Sequence, residues 1–217
     1  GVAILANNVI ERCRVLGKVQ GLADALETSP LNGNLGIAHT RWATHGAPSE
    51  LNAHPHISNH LALVHNGIIE NYAELREELK KTGYAFTSQT DTEVIAHLVD
   101  FYFQTSKDFL AAVQKAVERL RGDYGIAIIH ENYPDRIIVV RSGSPLVVGL
   151  GEQENFIASD PLALLPVTRR FIYLQVGDVA DVYRDHIDIY DAQGFSVTRD
   201  IKTLDLKDDA AYKGELS

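Results

Sequence analysis

The sequence predicts an α+β fold in which helices pack against stacked sheets. Three observations predict it. Short apolar runs of strand length crowd both ends of the chain, amphipathic helical patterns fill its middle, and turn residues punctuate the rest. With strands at both ends, one sheet lying on another with helices outside is the expected layering.

In chain order, apolar runs predict strands near 1–6, 11–16, 35–40 and 60–65. Asn71 can then cap a helix with Glu74 three residues later; Leu75 and Leu79 share one face and Gly83 stops it. Thr90 and Glu93 form a second capping box, ahead of an apolar stripe of Val94, Ile95, Leu98 and Tyr102. Asp108 can start a third helix, with Phe109, Val113, Ala116, Val117 and Leu120 facing inward and Gly122 beyond it. Strands follow near 124–130, 136–141, 145–149, 155–158, 171–175, 178–183 and 186–190, with turns at Gly177-Asp178 and Gln193-Gly194. From 203 to 217 the chain turns polar and aperiodic, as a linker or tail does, which leaves 1–202 as the domain.

Composition narrows the functions. At 217 residues one core can bury roughly 70% of the unfolded surface. The 20 basic and 29 acidic residues give a net charge of -9, with no basic stripe, so nucleic acid is not expected as a partner. No apolar run nears the ~20 residues of a membrane helix, and no secretory signal opens the chain. The lone cysteine, Cys13, points to a reducing, cytoplasmic setting and reads as a half-buried strand residue. Gly1-Val2-Ala3-Ile4-Leu5 already reads as strand and the chain contains no methionine, so the sequence is expected to begin inside an element.

The chemistry-bearing residues concentrate between 37 and 70. Six of the nine histidines fall between His39 and His65, and the long connection 40–56 carries Trp42. His54, His56 and His60 invite a metal reading, but Ser58 and Asn59 stand where a hydrolase motif needs acid and histidine, so packed, hydrogen-bonded rings are expected instead. Asn66-Gly67 has two readings: a type I′ hairpin turn, or a strand-end turn presenting an amide and an N–H to a developing oxyanion. Arg41 and Asp91 are the opposite charges that a free amino acid requires, but on these residues alone a surface role for Arg41 and helix capping for Asp91 are the favoured readings.

Several long motifs resemble one family in order. These are His39-Thr40-Arg41-Trp42-Ala43-Thr44-His45-Gly46, Asn52-Ala53-His54-Pro55-His56 and His65-Asn66-Gly67-Ile68-Ile69-Glu70-Asn71. Ser88-Gln89-Thr90-Asp91-Thr92-Glu93, Arg141-Ser142-Gly143-Ser144-Pro145-Leu146 and Glu154-Asn155-Phe156-Ile157-Ala158-Ser159-Asp160 follow. Together they are similar to the glutaminase domains of glucosamine-6-phosphate synthases, which are class II glutamine amidotransferases. The resemblance implies a four-layer αββα sandwich of the N-terminal-nucleophile hydrolase type, with the family's first strand and helix missing ahead of Gly1. It implies L-glutamine as substrate, no cofactor and no metal. It also implies a sugar-isomerase half in the same polypeptide that takes the ammonia, and a homodimer for the complete protein. Arg41 and Asp91 would hold the glutamine carboxylate and ammonium, with Thr44 and His45 lining the carboxylate end. Asn66 and Gly67 would form the oxyanion hole, and Trp42 would gate the ammonia. The family's nucleophile is an N-terminal cysteine followed by glycine. No such pair opens this chain, so the chain as written is expected to be inactive while its parent hydrolyses glutamine. Two alternatives keep the fold: a glutaminase domain serving another acceptor, and a non-catalytic glutamine-binding or scaffolding domain.

Overall fold

A computed structural model describes residues 1–41 and 46–204. At its centre is a seven-stranded sheet built from β4 (His56–Ser58), β5 (Leu61–Ile69), β6 (Gly122–His130), β7 (Tyr133–Ser142), β11 (Val179–Tyr183), β12 (Ile187–Tyr190) and β13 (Ser196–Val197). Its order is β13-β12-β11-β7-β6-β5-β4, antiparallel throughout. Two smaller sheets accompany it. One joins β1 (Val2–Ala6), β2 (Val9–Cys13) and β3 (Leu35–Ala38) in the order β2-β1-β3. The other joins β8 (Val147–Leu150), β9 (Asn155–Ala158), β10 (Arg170–Tyr173) and β14 (Ile201–Thr203) in the order β14-β10-β8-β9.

Successive strand residues point to opposite faces, so each central strand feeds two cores. Ile126, Ile128, Ile138 and Val140 face α2 (Tyr72–Lys81), α3 (Thr92–Ser106) and α4 (Phe109–Val117), where Leu75, Leu79, Ile95, Leu98 and Phe109 are buried. Ala127, Ile129, Ile137 and Val139 face the small sheets, against Ala3, Leu5, Ile37, Val148 and Ile172. A further helix, α1 (Val19–Thr28), accompanies the small sheets beside β2, completing the α, β, β, α order. It has no fully buried residue and no side-chain cap. Gly21 lies inside it and no capping residue marks its start, so the sequence does not predict a helix there.

Local chemistry corrects several expectations. Asn71 does not cap α2 with its side chain; its amide bridges Arg119 O and Arg121 N across to the chain after α4. Half of the Thr90–Glu93 box forms. Thr90 Oγ1 accepts the Glu93 N–H at 3.3 Å, but the Glu93 carboxylate turns away to four donors on Thr87 and Ser88. Burial pushes the Glu93 pKa up, yet these bonds and His97 outweigh it and hold the group well below its ordinary value. Asp108 does cap α4, accepting from Ala111 N at 3.0 Å. Gly83 ends α2 as expected. It has φ +99°, with Gly83 N bonded to Lys80 O and Tyr84 N to Leu79 O.

Candidate active site

Asn66 and Gly67 form neither a hairpin turn nor a strand-end turn. They lie inside β5, which continues to Ile69 and stays paired with β6, Asn66 opposite Gly125 and Gly67 opposite Tyr124. The sequence reading ended that strand at 65 because Asn-Gly is the strongest short turn signal; pairing with a long neighbouring strand overrides it. Glycine is still required. Gly67 has φ +121°, and a Cβ there would meet the Asp123 carbonyl oxygen at 2.0 Å.

Strand alternation then sorts the neighbours. His65 faces the helices, where its Nδ1 meets Thr92 Oγ1 at 3.0 Å. Asn66 faces the small sheets, where its Oδ1 lies 2.7 Å from Nε2 of His39, just beyond β3.

Asp91 precedes α3 and is 3% exposed. It gives α3 no side-chain cap, contrary to the bland reading of an acid at a helix start; instead its Oδ2 accepts the Ile69 N–H at 2.9 Å. This bond ties the start of α3 to β5 two residues after Gly67. Arg41 donates to Gly46 O at 3.1 Å and Ala47 O at 3.4 Å, across the start of the long connection. Burial lowers the pKa of its guanidinium, and the Asp91 charge opposes that shift.

These residues share one cavity of about 250 Å³, lined by Arg41, Asn66, Gly67, Ile68, Thr90, Asp91 and Thr92 together with His39, Thr40, His54 and His65. Of the predicted site residues, Arg41, Asn66, Gly67 and Asp91 are thus brought together. Trp42, Thr44 and His45 lie outside the described residues. Cys13 ends β2 and does not line the cavity.

The histidines pack as stacked rings. His39 stacks on His54 with centroids 4.3 Å apart, and His54 lies parallel to His65 at 6.4 Å. Burial pushes His54 well below the ordinary imidazole value, with the charges of neighbouring imidazoles and Arg41 adding to it; burial likewise drives His56 to about 3. Each meets a hydroxyl through Nε2: Thr92 for His54, at 3.0 Å, and Thr90 for His56, at 3.1 Å. Among the described residues no three His, Cys, Asp or Glu side chains converge as a metal site needs.

Sequence reasoning missed the supports of the site. Asn52 takes the Gln89 N–H on Oδ1 at 2.9 Å and donates to Ala47 O at 2.9 Å, fastening the long connection to the segment before Asp91. Arg76 donates to Ser88 O and Thr90 O. No local pattern marks either, because Asn52 reaches Gln89, 37 positions away, and Arg76 reaches Ser88 and Thr90, 12 and 14 positions away.

A second hollow adjoins the cavity. β3 and β9 are the edge strands of their sheets. Between them lies a groove of about 500 Å³, walled by Gly36–Thr40 and Asn155–Ser159, with Val64, Asn66, Gly125 and Ala127 among its other lining residues. His39, Thr40, His65 and Asn66 line both groove and cavity.

A family model described as a glutamine amidotransferase domain matches residues 39–166. The glutamine–fructose-6-phosphate aminotransferase (isomerizing) of Idiomarina loihiensis is 58% identical over 99% of this chain, and that of Escherichia coli K12 is 56% identical over 99%. The chain spans only 36% and 35% of those two proteins. Among solved structures, a glutamine phosphoribosylpyrophosphate amidotransferase from B. subtilis aligns over 94% of this chain and 42% of its own, with TM-score 0.70 at 23% identity. A class-II glutamine aminotransferase domain protein from Silicibacter pomeroyi aligns over 88% and 89%, with TM-score 0.62 at 14% identity. These two are likenesses of fold. With the family model spanning more than half of the sequence, the chain belongs to the glutamine amidotransferase domain family.

Proposed function

We propose that the 250 Å³ cavity binds free L-glutamine and is the site of its hydrolysis to glutamate and ammonia. The observation that carries this is the meeting, in one small cavity, of a guanidinium, a buried carboxylate and the Asn66-Gly67 pair. Arg41 grips the substrate carboxylate and Asp91 its ammonium, each a charge-assisted pair. The side-chain amide is thereby held against Asn66 Nδ2 and the Gly67 N–H. Thr44 and His45 complete the carboxylate end, and Trp42 gates the departing ammonia.

The reaction needs a thiol. We assign it to an N-terminal cysteine of the complete protein, as the resemblance to the glutaminase domains implies. Its own α-amine, titrating near 8, accepts the thiol proton. The thiolate sulfur then bonds to the amide carbon, and the carbonyl oxygen takes the negative charge and meets the two donors. Collapse breaks the C–N bond, and the amine-borne proton leaves with ammonia. Water cleaves the thioester, giving glutamate and the free thiol. In the complete protein a sugar-isomerase half receives the ammonia and converts fructose 6-phosphate to glucosamine 6-phosphate; this protein is a cytoplasmic homodimer. The share of the aminotransferases left uncovered by the chain supports a second half.

In the full-length protein, Asn66→Ala is expected to lower kcat for glutamine hydrolysis by roughly 100-fold or more. Arg41→Ala is expected to raise the glutamine KM. Steady-state glutaminase assays in which both variants match wild type would sink the assignment.

A further inference from the structure

We propose that His39 is a positioning residue of this site: its Nε2–H orients the Asn66 amide, and its own ring is held by the stacked imidazole of His54. The inference rests on reading Asn66 as an oxyanion donor.

An asparagine amide can turn over about its last torsion, exchanging oxygen for nitrogen, unless a hydrogen bond selects one arrangement. The only partner that the Asn66 side chain has among the described residues is His39, Nε2 to Oδ1 at 2.7 Å. Direction follows from the other ring nitrogen. His39 Nδ1 is buried and makes no hydrogen bond of full geometry to a described residue; the ring's further contact is a weak one with the His65 backbone. Were Asn66 to donate to Nε2, the proton of the neutral ring would sit on Nδ1 as a buried, poorly satisfied donor. Orphaned N–H groups are rarer than orphaned acceptors. The favoured arrangement has Nε2–H donating to Oδ1, which leaves both N–H groups of Asn66 Nδ2 for a ligand.

The ring itself is fixed from behind. His54 Nδ1 accepts the His65 backbone N–H at 3.4 Å, so its proton is on Nε2 and goes to Thr92 Oγ1 at 3.0 Å. The same Thr92 hydroxyl meets His65 Nδ1, also at 3.0 Å. The His54 ring is therefore a fixed plane, and His39 stacks on it at 4.3 Å with 28° between the planes. His39 also lines three hollows: the substrate cavity, the β3–β9 groove, and a third beside Gly1 and Leu22. A side chain at that junction needs such bracing, because open space adjoins it on several sides.

Two variants of the full-length protein separate donor from packing. His39→Phe keeps a ring on His54 and removes the donor; His39→Gln places an amide N–H near the position of Nε2 and removes the ring. The expected result is a kcat lowered at least ten-fold in His39→Phe, with the glutamine KM within two-fold, and a smaller loss in His39→Gln. Adding His39→Phe to Asn66→Ala should slow the enzyme no further. A faster His39→Phe than His39→Gln, or losses that multiply in the double variant, overturns the inference. If Asn66→Ala is slow while His39→Phe is unaltered, the inference alone fails. A wild-type kcat in Asn66→Ala instead removes the oxyanion reading and this inference with it.

Discussion

The Asp91 carboxylate makes two separable contributions. One oxygen accepts the Ile69 N–H and anchors the start of α3 to β5, which is a structural bond. In the proposed glutamine complex its negative charge is the part that meets the substrate ammonium. Asn keeps an acceptor oxygen for Ile69 and discards the charge. Asp91→Asn is therefore expected to fold, with stability within about 1 kcal/mol of wild type. Its glutamine KM is expected to rise roughly 10- to 100-fold, the usual worth of a charged hydrogen bond. Thermal unfolding and KM measured on one preparation check this; a large loss of stability with KM unchanged contradicts it.

Two glycines show how one backbone preference has different weight in different elements. Gly83 ends α2 at φ +99°, and an added Cβ there would meet nothing within 4 Å. Gly83→Ala should cost only the left-handed backbone penalty, about 1 kcal/mol, measured by denaturant unfolding. Gly67 has φ +121° inside a paired strand, and its Cβ would collide with the Asp123 carbonyl oxygen at 2.0 Å and with Tyr124 Cα at 2.9 Å. Because β5 and β6 are bonded at that point, neither can yield without breaking the ladder. Gly67→Ala is expected to cost more than about 3 kcal/mol and to abolish glutaminase activity even where the protein folds. Equal costs for the two substitutions would show that the β5–β6 contact is softer than its geometry implies.

The two-core packing also sets how the whole domain responds to acid. His54 and His56 lie buried near the site, while His130 lies at the far end of β6 among Phe103, Phe109 and Tyr133. Burial holds all three below the ordinary imidazole value, His56 at about 3 and His130 at about 4. The unfolded chain binds these protons near pH 6.5, so between there and the folded values it holds more protons than the native state. Stability is then unpenalised above about pH 6.5 and falls as pH drops below it, by up to about 1.4 kcal/mol per pH unit for each imidazole. The loss should begin before the carboxylates titrate. Thermal unfolding of the full-length protein from pH 7.5 to pH 4.5 checks it, and His130→Phe should lower the slope by about one proton. A profile flat from pH 7 to pH 5 contradicts the prediction.

Apolar runs and capping signals located most elements: β9 at 155–158, the cap and stripe of α4, and the Gly83 stop are local patterns that the structure keeps. The family and its order of layers were legible in the same way, because long motifs occupy consecutive residues. What the sequence could not display is anything that depends on where strands lie relative to one another. Asn66-Gly67 reads as a turn until β6 pairs alongside it. His39 and Asn66 are neighbours only because β3 crosses the face of β5 on which Asn66 lies. The β3–β9 groove exists only because two sheets stop short of each other. Short-range backbone chemistry is written in adjacent residues, whereas the bonds from Asn66 to His39 and from Ile69 to Asp91 join residues 27 and 22 positions apart, brought together by burial of the two apolar faces of one central sheet.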